Sequence, residues 1–182
     1  MSLESVKKSL WVAAKSVQLI GVLHVIHEYL FDFSSAVGPS MIPALNDKGD
    51  IVIYERLTYR LRGFERGEVV IAVSPENSQL RVCKRIIATE GDRVITGVSG
   101  AKSIGQYDVK TTTVPRGHVW LQGDNPLHSH DSRHYGTVPV GLLLGKVTWK
   151  VWPFYQVCRV SREVPLEAKA SVIPFGVATV PG

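Results

Sequence analysis

"LRVCKRIIATEGD", residues 80–92, has the composition of a strand but places one cation on an unexpected side. Side chains alternate across a strand. Leu80, Val82, Lys84, Ile86 and Ala88 therefore share one face, and Arg81, Cys83, Arg85 and Ile87 share the other. The first face is apolar except for Lys84. The second carries both arginines, and an ordinary solvated lysine belongs beside them.

Working outward, the same pattern recurs. "GDIVIYE" (49–55), "GEVVIAV" (67–73), "GDRVIT" (91–96), "GHVWLQ" (117–122) and "GKVTWKVW" (145–152) are short runs rich in Val, Ile and Trp, each opened by a glycine turn. Such runs read as strands. No helical period separates them, so residues 35–160 are expected to form an antiparallel β domain. A chain of 182 residues holds one domain plus appendages, and 45% hydrophobic content is enough to build its core. Residues 161–182 lack alternation and contain three prolines, which predicts a loosely ordered tail.

The formal net charge is +5, and Arg56, Arg60, Arg62 and Arg66 alternate with Tyr54, Tyr59 and Phe64. Basic plus aromatic composition suits nucleic acid, but Glu55 and Glu65 interrupt the cluster and no nucleic-acid motif accompanies it. A solvated hairpin face is the expectation, and nucleic acid is not an expected partner. Cys83 and Cys158 form no metal or disulfide pattern and are taken as free thiols.

Residues 9–31, "SLWVAAKSVQLIGVLHVIHEYLF", are the most apolar stretch. Their length matches the ~20 residues a membrane span needs. Lys15 and Glu28 sit near opposite ends, where snorkelling reduces a cost of roughly 2.5–3.5 kcal/mol per central charge. A buried core helix and a secretory signal cut near Ser34-Ser35-Ala36 are the competing readings. We read residues 1–34 as a retained membrane-associating segment, in contact with lipid. Lys7, Lys8 and Lys15 then keep the N-terminus on the cytoplasmic or matrix side.

Lys84 acquires a chemical use if it is desolvated. A free lysine, with pKa about 10.4, holds its proton at neutral pH, and burial lowers that value by disfavouring the charged form. The competing account is an edge lysine snorkelling to water. Ser40 supplies the complement. It lies in "VGPSMIP", stiffened by Pro39 and Pro43 beside Gly38. A serine hydroxyl needs a base to become nucleophilic, and a neutral lysine serves in Ser-Lys variants. An ordinary turn explains Ser40 alone equally well; the pair is what carries information.

A third segment, "GDNPLHSHDSRHYGTVP" (123–139), is dense in polar groups. Asp131 and Arg133 are spaced for an ion pair bracing a loop, and Ser129 has a hydroxyl suited to a buried amine. Metal binding by His128, His130, Asp131 and His134 is the rival, although the spacing fits no closed zinc pattern.

Together "GPSMIPAL", "CKRIIATEGDRV" and "LQGDNPLHSHDSRHYGTVP" resemble, in order and spacing, the signature boxes of type I signal peptidases. The wording is most similar to the mitochondrial inner membrane branch, first catalytic subunit type. The resemblance spans residues 24–153. It implies a mostly β catalytic domain of signal-peptidase type with an N-terminal apolar helix. It implies Ser40 as nucleophile, Lys84 as general base, Ser129 as the hydroxyl orienting the amine, and Asp131 with Arg133 as a supporting salt bridge. It implies no metal and no cofactor. The activity implied is a membrane-bound serine endopeptidase of the mitochondrial inner membrane, facing the intermembrane space. Its substrates would be precursors bearing sorting peptides, and its partner a second catalytic subunit in a heteromeric complex. Some members carry a serine two residues before the nucleophile as an oxyanion donor; here that position is Gly38. A bacterial-type signal peptidase I and a non-catalytic partner subunit remain alternatives. A Ser-Lys self-cleaving repressor would need a DNA-binding domain where residues 1–33 are apolar.

Overall fold

The computed structural model describes the backbone of residues 3–103 and 106–176, and side chains there except at 3, 58–60 and 98–108. A helix α1 (Leu3–Val25) runs into a π-helical turn, Ile26–Leu30, and then directly into strand β1 (Phe31–Ala36). Together Glu4–Leu30 are long and apolar enough to cross a membrane, and none of their most apolar window is buried against the rest of the chain.

The strands are β2 (Asp50–Glu55), β3 (Val69–Val73), β4 (Arg81–Ala88), β5 (Arg93–Ser103), β6 (Gln106–Thr113), β7 (His118–Gln122), β8 (Val138–Pro139), β9 (Leu143–Trp152), β10 (Cys158–Arg159) and β11 (Val172–Ile173). One eight-stranded sheet has the order β1-β2-β9-β3-β4-β7-β8, with β10 on β9, and a three-stranded sheet runs β11-β5-β6. Every described pairing is antiparallel. The mostly antiparallel β architecture with an apolar N-terminal helix is therefore the observed one.

Two apolar clusters cover the two faces of the main sheet. Met41, Leu45, Val52, Tyr54, Val69, Ile71 and Val147 form one, and Val70, Ala72, Ile86, Val119, Leu121, Val138 and Leu143 the other. The odd and even residues of β3 divide between them, as the period of two requires. Each fully buried side chain of this kind contributes roughly 1.5–3 kcal/mol. A third cluster around Ile87, Val94, Val114 and Trp120 joins the small sheet to the large one.

Several expectations need correction. The arginine-rich stretch is not a hairpin face: Tyr54 is buried in the core, Arg56 pairs with Asp32 at 2.6 Å, and Leu57–Arg62 form a short helix, α2. The side chains of Tyr59 and Arg60 lie outside the described residues. A strand already begins at Phe31, ahead of the boundary drawn at residue 35, because its alternate residues Asp32, Ser34 and Ala36 turn inward along β2. Short helices α2 and α3 (Ser132–Tyr135) sit where no helical period was visible, since six or four residues are too few to show one. Residues 161–176, expected as a loosely ordered tail, contain α4 (Leu166–Ala170) and β11, which pairs with β5. Residues 177–182 lie outside the described residues.

Candidate active site

β4 leaves the sheet centre with Lys84 beside Val70 of β3 and Arg85 beside Gln122 of β7. Lys84 is 4% exposed, and its amine makes no hydrogen bond or ion pair among the described residues. Burial pulls its pKa below the ordinary lysine range, while the nearby Asp131 carboxylate opposes part of that shift. The alternation in 80–92 thus placed this amine on an otherwise apolar face, and the Pro39–Met41 turn makes contact with β4.

Ser40 is carried by a 3-10 turn, Pro39–Met41. Its entry residue Gly38 has φ 109°, a region that L side chains rarely adopt, so a serine there would be strained. This gives a backbone reason for the Gly38 departure noted above. Met41 anchors the turn in the core at 2% exposure.

Ser40 and Lys84 line one cavity of about 440 Å³, together with Met41, Ile71, Cys83 and His130. No hydrogen bond joins the Ser40 hydroxyl to the Lys84 amine among the described residues. Contacts of this type are often long outside the Michaelis complex and tighten within it. Burial pushes the Cys83 thiol up to about 12, so it stays protonated and does not compete as a nucleophile.

The loop 123–135 contributes His130 to the cavity lining. Ser129 donates its hydroxyl hydrogen to Asp131 Oδ2 at 2.6 Å, and no bond from Ser129 to Lys84 is present among the described residues. Asp131 also accepts from the Gly123 N–H at 2.9 Å and from Arg133 through Nε and Nη2, both at 2.9 Å. Burial alone would raise the Asp131 pKa, but the hydrogen bonds from Arg133, Ser129 and the backbone outweigh it and hold the carboxylate below its usual range. Asp131 additionally caps α3. Gly123 is obligatory by space: a Cβ there would collide with the Ser129 hydroxyl and the Ser40 carbonyl oxygen.

Two histidines of this loop, His130 and His134, have partners of their own. His130 bonds Glu76 at 2.7 Å and stacks on His134, whose Nδ1 faces the Asp131 N–H. No group of three His, Cys, Asp or Glu side chains converges among the described residues.

One buried cation is not marked by residue spacing. Arg85, assigned to a solvated face, is 1% exposed. It forms a bidentate pair with Asp124 at 2.7 and 2.6 Å and donates to the carbonyls of Gly67 and Ser161. The Gly-Asp-Asn run at 123–125 was the available signal, because it sets an acid beside a glycine at a strand end.

A serine on a glycine-proline turn thus shares one cavity with a buried lysine that is unpaired among the described residues. The chain matches the family described as signal peptidase, peptidase S26, over residues 10–101 and 96–152. This chain is a member of the peptidase S26 family. Like its signal peptidase relatives, it is a serine peptidase. Mitochondrial inner membrane protease subunit 1 of Schizosaccharomyces pombe is 44% identical to it over 138 residues, 75% of this chain and 83% of the relative. The human protein of the same name is 38% identical, covering 78% of this chain and 86% of the relative. A Danio rerio protein named mitochondrial inner membrane protease subunit 2 is 36% identical, covering 70% of this chain and 68% of the relative.

Proposed function

We propose that this S26 peptidase is a membrane-anchored endopeptidase of the mitochondrial inner membrane that uses Ser40 as nucleophile and Lys84 as general base. Its substrates are precursors whose sorting peptides it removes on the intermembrane-space side. The observation that carries the chemistry is Lys84: its side chain is buried, its amine has no partner among the described residues, and it shares a cavity with Ser40.

Neutral Lys84 takes the Ser40 proton as Oγ attacks the scissile carbonyl, and the resulting ammonium protonates the leaving amine. Water, deprotonated by the same amine, then releases the acyl group. The Ser40 backbone N–H is the oxyanion donor. Ser129, Asp131 and Arg133 act as support: Asp131 gathers the Ser129 hydroxyl and the Arg133 guanidinium into one braced loop beside the amine.

The compartment rests on the names of the relatives. The apolar helix α1, with Lys7, Lys8 and Lys15, supports an anchor whose N-terminus faces the matrix. Relatives named as subunits 1 and 2 support a second catalytic subunit as partner.

The test places full-length chain, Ser40→Ala and Lys84→Met in membranes with a precursor carrying a sorting peptide, and reads product size. Both variants should lose cleavage while keeping the wild-type unfolding transition. Wild-type cleavage by either one refutes the dyad.

A further inference from the structure

The nucleophile and the base stand on separate elements, the Pro39–Met41 turn and β4, which lie more than forty residues apart in sequence. A third segment ties them together. Gly123 donates its N–H to Asp131, which holds the Ser129 hydroxyl. Asp124 grips Arg85, the residue after Lys84, through two short bonds. Asn125 donates its backbone N–H to the Ser40 carbonyl at 3.0 Å and its side-chain amide to the Pro39 carbonyl at 3.1 Å. Three consecutive residues therefore register the orienting loop, the base strand and the nucleophile turn against one another.

We propose that Asn125 is a positioning residue for the reaction: its paired bonds to the Pro39 and Ser40 carbonyls set the height of the Ser40 hydroxyl against Lys84. This rests on the Ser40–Lys84 reading above. The 3-10 turn is three residues long, so it has little backbone bonding of its own. Ile42 N–H bonds the Pro39 carbonyl at 3.3 Å and Leu45 N–H the Met41 carbonyl at 2.9 Å, and Asn125 adds the two bonds that reach the turn from the 123–135 loop. The backbone half of the clamp survives any substitution except proline, and the amide half does not. The anchor behind Asn125 is rigid, because Asp124 is buried and doubly bonded. Loss of the amide bond lets the turn tilt, which degrades attack geometry and leaves the cavity walls that bind substrate in place. Misplacement on the ångström scale costs up to about 10²-fold in rate.

The experiment compares wild type, Asn125→Ala, Asn125→Asp and Leu127→Ala in the full-length, membrane-reconstituted protein. The probe is a quenched fluorogenic peptide spanning the cleavage site of a precursor that the wild type processes. Leu127 is 89% exposed on the same loop and serves as the control. Asn125→Ala should lower kcat about tenfold or more with KM within about twofold. Asn125→Asp, the same shape with an acceptor turned toward the Pro39 carbonyl, should lose at least as much. Leu127→Ala should match wild type. The thermal unfolding of each variant separates positioning from folding, and if Asn125→Ala fails to fold, Asn125→Asp carries the same test. Wild-type kcat in a folded Asn125 variant overturns the proposal, as does a loss confined to KM. A Ser40→Ala arm runs alongside: cleavage there would refute the dyad itself, whereas a dead Ser40→Ala with a fully active Asn125→Asp would refute only the clamp.

Discussion

Val70 on β3 has a lysine on each side in the same row of the sheet, Lys84 on β4 and Lys146 on β9. Directly opposed residues in a ladder share a face, so the two amines meet the sheet in equivalent positions. Their surroundings differ completely. Lys146 lies 3.0 Å from Glu68 and 3.7 Å from Glu55, and Lys150, two turns of the pleat further along β9, faces Asp50 and bonds Gln156. Lys84 makes no ion pair among the described residues, and the Asp131 carboxylate acts on it only from beyond contact. Burial with a partner gives a structural cation. Burial without one favours the free amine, which is the form a general base requires.

The comparison breaks first at Lys84. Replacing it with Met should reduce peptide cleavage by about 10⁴-fold or more, the scale seen when one member of a catalytic unit is removed, measured as initial rate per folded molecule. The same change should leave urea unfolding unchanged or shift it to higher denaturant, because a buried amine without a partner is exchanged for an apolar side chain of similar length. Lys146→Met must behave differently, keeping the chemistry and removing one of the three cations that pair with Glu68. If both variants gave the same profile, the two flanks of Val70 would be equivalent and the distinction would be void.

A middle-sized effect should come from Glu68→Gln. Glu68 is 1% exposed and serves Arg62, Lys146 and Arg162 together. Removing its charge leaves cations uncompensated, at a cost of about 3 kcal/mol, read by urea denaturation, with kcat of the folded fraction retained.

The smallest effect is in pH. The folded value of Lys84 is lowered, so cleavage should rise as pH climbs through that value and the base loses its proton. Stability follows the same direction. Between the lowered folded value and the ordinary value near 10.4, the unfolded chain binds the extra proton, so unfolding free energy increases with pH across that window. Lys84→Met should remove this slope and no other. Asp131 contributes at the acid end: with its folded value depressed, its stabilisation is present above the ordinary carboxylate range and lost as pH falls through the folded value.

Much of the site was legible because strand alternation is a local property. The five glycine-opened runs correspond to β2, β3, β5, β7 and β9, the run at 80–88 to β4, and position 84 was marked by parity alone. The same rule misjudged Arg85, since parity gives a face and says nothing of what covers it. β1 was hidden because "FDFSSA" follows an apolar helix without a turn signal and its strand character comes from pairing with β2. β6 and β11 lie in stretches of weak alternation and owe their form to β5.

By itself the chain's order of residues determined the β class, the apolar N-terminal helix, the stiff serine turn and the lone amine on an apolar face, because each follows from contacts within a few residues. Tertiary structure alone decided that Arg85 is buried on Asp124, 39 positions away, and that Asn125 holds the Ser40 turn from 85 positions away. It also decided that Ser129 gives its hydroxyl hydrogen to Asp131. Partners of buried polar groups are chosen by whichever chain segments the folded sheet brings within hydrogen-bonding range, and local pattern holds no record of that choice.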